Sequence, residues 1–149
     1  MYNGIITVRT SSSRLKKKCF LIIKNLKVIE HIILRCLYAN IKPIICTSKN
    51  SEDKNLVKIA KKYGIDYFQG SLNNKIKRWH DCVIKKKIKF FHTIDADDPY
   101  FDYNAVKESL DVLKKKKLDL VKPSNASRYG GASEGYSFSQ KGIIKLYKS

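Results

Sequence analysis

At 149 residues the chain has room for one hydrophobic core and not for two comfortable domains. A hydrophobic content of 43% with 11% aromatics excludes a disordered chain, and no apolar run approaches the about 20 residues of a membrane span. The net charge of +18 invites a polyanion partner, yet only Arg9, Arg14, Arg35, Arg78 and Arg128 among the 31 cations are arginines.

The remaining cations are lysines spread over most helical segments, the pattern of a solvated face, which argues against specific nucleic-acid binding. Runs such as Lys85–Lys87 and Lys114–Lys117 fall near predicted helix C-termini, where cations favour the macrodipole. The N-terminus lacks a basic segment followed by an apolar one, so a cytoplasmic location is expected. Cys19, Cys36, Cys46 and Cys82 form no C-x-x-C pair and lie beside apolar residues, which predicts reduced core or boundary thiols.

Strand and helix patterns alternate along the chain, the mark of an α/β domain with a largely parallel sheet. Gly4–Val8 reads as a buried strand and runs into a polar loop reaching Lys18. Ile22–Lys24 reads as a short extended piece. Val28, Ile29, Ile32, Ile33, Cys36 and Leu37 fall on one face at helical spacing. Ile41–Thr47 is the second strand, with Pro43 near its start. Asn50 or Ser51 caps the next helix, whose stripe is Leu56, Val57, Ile59, Ala60 and Tyr63 and whose stop is Gly64.

Asp66–Phe68 is a short strand, Gly70-Ser71 a turn, and Asn73 or Asn74 opens a helix carrying Ile76, Trp79, Cys82 and Val83. Ile88–Ile94 is almost continuously apolar or β-branched, as in a central strand buried on both faces. Asp95–Pro99 follows it as an acidic loop, and Asp102 caps a helix from Tyr103 to Lys115. Leu118–Val121 and Gly135–Ser139 read as strands, and Gly142–Tyr147 begins a last helix. His92 inside its strand reads as a satisfied buried imidazole, and Trp79 as core at a helix–sheet contact.

Two loops carry the candidate chemistry because each follows a strong strand. In an open α/β sheet, ligands bind beyond the carboxyl ends of the strands. Arg9–Lys18 offers small hydroxyl residues whose backbone N–H groups can approach an anion, flanked by cations that neutralise it. Asp95–Pro99 offers clustered carboxylates for a hard divalent cation such as Mg²⁺. Together they suit a nucleoside triphosphate with its metal. Neither G-x-x-x-x-G-K-[ST] nor G-x-G-x-x-G occurs, so this is no Walker A loop or dinucleotide fingerprint.

R-T-S-S-S-R-L-K-K-K, from Arg9 to Lys18, resembles the R-x-G-S-x-R-L-P-x-K opening of the cytidylyltransferases that activate sugar acids. These include the CMP-sialic acid and CMP-Kdo synthetases and the spore-coat polysaccharide cytidylyltransferases. Cys46-Thr47-Ser48 resembles their A-T-S, and Asp53 falls where they often carry an acid. Gly70-Ser71 through Arg78-Trp79 resembles G-S-x-x-x-x-x-x-R-[YW], and Asp97-Asp98-Pro99 with Asp102 resembles G-D-x-P-x-x-D.

The resemblance implies a Rossmann-like, glycosyltransferase-A-like nucleotidyltransferase fold, a three-layer α/β sandwich with a mostly parallel sheet. It implies that Arg9 and Lys18 contact the CTP phosphates, with Ser11, Ser12 and Ser13 completing the cradle and Arg14 as a further member. Thr47, Ser48 and Arg78 would surround the nucleoside, and Asp97 would ligate Mg²⁺ with Asp95 or Asp98 in support. The implied reaction is attack of a sugar-acid hydroxyl on the α-phosphate of CTP, with pyrophosphate leaving, for surface polysaccharide biosynthesis.

The sequence departs from the pattern at Ser11 for a glycine, at Lys16-Lys17 for Pro-Gly, and at Ala96 for the glycine before the metal aspartate. Relatives also continue past its C-terminus, where a second acidic metal ligand, much of the sugar pocket and a dimerisation element are expected. A homodimer and a complementing chain both remain open as ways to complete the site. The alternative reading is a catalytically inactive remnant or a basic interaction module on the same fold.

Overall fold

The computed structural model describes residues 1–10, 17–123 and 135–149. Four strands run parallel: β1 (Tyr2–Thr7) lies between β4 (Ile41–Ser48) and β6 (Phe90–Asp95), and β5 (Asp66–Gly70) lies outside β4. β8 (Ser137–Ser139) pairs antiparallel with β6, and β7 (Leu120–Val121) pairs antiparallel with β8, giving the order β5-β4-β1-β6-β8-β7. A separate hairpin joins β2 (Ile22–Ile23) to β3 (Leu26–Lys27) through Lys24 and Asn25, both at positive φ. Only its first strand is legible as an extended piece; positive φ at two non-glycine residues hides the turn.

Alternate residues of the central strands feed two cores. Ile6, Ile45 and Ile94 join one cluster, Ile5, Ile44 and Phe91 the other. α1 (Val28–Tyr38), α2 (Lys54–Lys62) and α4 (Tyr103–Lys115) cover the first face. α3 (Lys75–Lys85) and α5 (Gln140–Lys148) cover the second. The result is a three-layer, mostly parallel α/β sandwich. Burial on both faces explains the near-continuous apolar strands.

The helix ends share one device. Gly64, Lys87 and Lys117 sit at positive φ after α2, α3 and α4. In each case the N–H of that residue and of the next one donate back into the last turn, as in Ile88 to the Val83 carbonyl and Leu118 to that of Leu113. Ile88 and Leu118 therefore belong to helix stops and not to the strands predicted from their hydrophobicity. Leu37 is 43% exposed, so the buried stripe of α1 is narrower than its spacing predicts. Asn74 and Asp102 cap α3 and α4 as expected.

All four cysteines are reduced and buried. His92 is buried, with Nδ1 2.7 Å from the Ser137 hydroxyl. Among the described residues no helix is long and apolar enough to cross a membrane.

Candidate active site

The carboxyl ends of β1 and β6 open onto one cleft of about 390 Å³. Its lining includes Arg9 and Lys18 from the first loop, Asp95 and Asp97 from the second, and Lys75 and Arg78 from α3. Parallel pairing sets this juxtaposition, because Thr7 stands level with Asp95 in the β1–β6 register. The ammonium of Lys18 donates to Asp97 Oδ2 at 3.1 Å across the cleft. Both side chains are about half exposed, so the pair adds little stability and chiefly reports that the two loops share a site.

Arg9 and Arg78 approach from the other side. Arg9 Nη1 donates to the Leu72 carbonyl at 3.1 Å, and Arg78 Nη1 donates to those of Ser71 and Leu72 at 2.6 and 3.3 Å. Arg78 is buried, which lowers the proton affinity of its guanidinium; neighbouring Arg9 acts in the same direction. Trp79, the next residue of α3, is anchored by donating its Nε1–H to the Thr7 hydroxyl at 2.7 Å. The cleft is thus cationic towards α3 and mixed towards β6.

Asp53 is the residue whose role sequence reasoning missed. The resemblance marks the position as acidic, but its burial comes only from the fold. At 1% exposure the carboxylate accepts from the Thr10 N–H at 2.8 Å, from the Thr10 hydroxyl at 2.7 Å, and from the Ser48 hydroxyl. Burial pushes its carboxyl up, but the donated hydrogen bonds outweigh that and hold it below the usual range. Asp53 therefore bolts the start of the Arg9–Lys18 loop to the end of β4.

Two residues expected beside the nucleoside lie next to this bolt. Thr47 and Ser48 are fully buried and absent from the cleft lining, and the Ser48 hydroxyl is taken up by Asp53 and by the N–H of Asn50. They build the wall behind the site. Asp98 does not line this cleft: its Oδ1 accepts from the N–H of Tyr100, and the residue borders, with Asp95, a small cavity on the α4 side. Ser11, Ser12, Ser13 and Arg14 lie outside the described residues.

Asp95 and Asp97 present hard oxygen donors in the cleft. Mg²⁺ is held by one or two carboxylates plus substrate phosphates, so this donor set fits it without further protein ligands. Among the described residues no group of three or more His, Cys, Asp and Glu is arranged as an all-protein metal cage.

Comparison with solved structures places this architecture. A cytidylyltransferase from Leptospira borgpetersenii superposes with a TM-score of 0.79 at 19% identity, covering 99% of this chain and 63% of the other. The fold is that of the cytidylyltransferases. A CMP-2-keto-3-deoxy-manno-octonic acid synthetase in complex with CTP superposes with a TM-score of 0.77 at 12% identity, over 99% of this chain and 78% of that one.

In sequence, the chain is 28% identical over 142 residues to an uncharacterized protein of Methanocaldococcus jannaschii, covering 91% of this chain and 56% of that protein. It is 24% identical over 125 residues to a 3-deoxy-manno-octulosonate cytidylyltransferase of Rickettsia canadensis, covering 80% and 50%. The chain spans about half the length of the curated relatives it matches. No family model matches. The resemblance of the Arg9–Lys18 and Asp95–Pro99 motifs to the cytidylyltransferases is thus accompanied by a shared fold over nearly all of this chain, which matches 63% and 78% of those two structures.

Proposed function

We propose that the cleft binds CTP with Mg²⁺ and that the chain takes part in transferring CMP to a sugar acid, in the cytoplasm, for surface polysaccharide biosynthesis. The observation that carries the reading is the Lys18–Asp97 contact, which brings the cationic loop and the acidic turn to one hollow of nucleotide size. In this reading a sugar hydroxyl forms a bond to the α-phosphorus while the bond to the pyrophosphate oxygen breaks. The hydroxyl proton goes to solvent.

Arg9 and Lys18 bind and orient the phosphates and offset the charge that accumulates on the departing pyrophosphate. Asp95 and Asp97 would hold Mg²⁺ against the same phosphates, where it supplies further charge stabilisation. The protein needs no nucleophile of its own. A homodimer or a complementing chain is the partner proposed.

Calorimetry with CTP, UTP and GTP tests this. CTP binding in the presence of Mg²⁺ is expected to exceed that of the other two. Arg9→Ala is expected to weaken it about tenfold, the worth of one charge-assisted phosphate contact. Asp97→Asn should weaken CTP binding with Mg²⁺ and strengthen it without, because the substitution also releases Lys18. No CTP binding by folded protein at millimolar nucleotide would sink the proposal. Polyanion binding that ignores Arg9 and persists at high salt would favour the basic interaction module, since non-specific phosphate contacts fall steeply with salt.

A further inference from the structure

The first turn of α3 is electrostatically wrong for a helix that only packs. Lys75, Lys77 and Arg78 occupy that end and no acidic residue does, so three cations oppose the positive end of the macrodipole. Lys77 is answered by Asp81 at 2.6 Å. Lys75 and Arg78 instead line the cleft.

Arg78 is 2% exposed, and its Nε has no hydrogen-bond partner among the described residues. Buried donors of charged groups are normally satisfied, so an unpaired one on a residue that lines the cleft marks a guanidinium short of acceptors. A second observation agrees. Arg9 and Arg78 converge on the single carbonyl of Leu72, at 3.1 and 3.3 Å. Two like-charged guanidiniums sharing one neutral oxygen is the arrangement that a compact oxyanion would relieve. Lys75 adds a third cation beside them. Its ammonium rests 4.9 Å from the centroid of Trp79, whose indole is itself pinned by Thr7. The carboxylates Asp95 and Asp97 belong to the β6 end, so an anion is favoured towards α3.

We infer that Lys75, with Arg9 and Arg78, forms an oxyanion seat at the α3 end of the cleft, which makes Lys75 a substrate-binding residue additional to the loop cations. The identity of the anion rests on the cytidylyl-transfer reading: either a phosphate of the nucleotide or the carboxylate of the sugar acid. Both offer the same geometry to guanidinium and ammonium groups.

Lys75→Met tests the seat, because it keeps an unbranched stem over Trp79 while removing the charge. Its unfolding curve should match the wild type. Binding is measured by calorimetry with pyrophosphate, with CTP, and with a 2-keto sugar acid alone. Loss of about five- to tenfold for pyrophosphate and CTP assigns the seat to phosphate, and the same loss confined to the sugar acid assigns it to carboxylate. Lys75→Arg should restore binding in either case. Unchanged affinity for all three ligands overturns the inference. If instead the seat binds pyrophosphate in a Lys75-dependent way while CTP, UTP and GTP bind equally, the seat stands and the cytidylyl reading falls.

Discussion

Replacing Asp53 by alanine removes an acceptor that serves three donors at once. The Thr10 N–H, the Thr10 hydroxyl and the Ser48 hydroxyl all lose their partner in a buried site. An orphaned buried donor costs about 1–3 kcal/mol, and the two hydroxyls can rotate towards other acceptors or entering water, so the N–H dominates. Asp53→Ala is expected to cost about 3 kcal/mol in total, against a domain stability of roughly 5–15 kcal/mol. Asp53→Asn keeps a carbonyl oxygen for the Thr10 N–H and should cost about 1–2 kcal/mol.

Urea unfolding reads this directly. With an m-value of about 1.5–2 kcal/mol/M, the alanine variant's midpoint falls by about 1.5–2 M at unchanged m. The lowered Asp53 carboxyl adds a sign. Its contribution is present above the unfolded aspartate value of about 3.9 and is lost as pH falls through the lower folded value. The gap between wild type and Asp53→Ala must therefore narrow in acid. A midpoint within about 0.5 M of wild type at neutral pH would refute the bolt.

Glu30 supports a second pH prediction. It is buried, and it accepts from Lys62 at 2.7 Å, Tyr63 at 2.9 Å and the Lys27 N–H at 2.9 Å. Burial raises its carboxyl, but these donors prevail and hold it down at about 2. Glu30→Gln should lose about 2–3 kcal/mol at neutral pH and converge with wild type as pH falls from the unfolded glutamate value of about 4.3 towards 2, by urea titration at each pH. At the helix stops, Lys87→Gly and Lys117→Gly each relieve a left-handed residue worth about 1–2 kcal/mol, less about 0.5–1 for glycine's backbone entropy and a few tenths for the lost dipole charge. A net gain of about 0.5 kcal/mol each is expected, larger in salt where the dipole contribution is screened, and Gly64→Ala should lose stability; thermal melts check both.

Which segments become helices and strands was largely written in the sequence, because period and capping act locally. The stripe Leu56, Ile59, Ala60 and the caps Asn74 and Asp102 needed no tertiary information. So did the two loops that bear the cations and carboxylates, since each follows an apolar strand. Where local signals misled, hydrophobicity had two uses: Ile88 and Leu118 are apolar because they seal a helix end, not because they start a strand. Only the tertiary structure decided what a polar residue faces. Asp53 and Asp97 are the same residue type, each between a parallel strand and the helix that follows it, yet one is buried as a bolt and the other opens to the cleft. Sheet order made that choice, by setting β1 between β4 and β6 so that its loop touches Asp53 on one side and Asp97 on the other. Pairing of strands distant in the chain is a sum of many weak contacts, and no short stretch of residues records it.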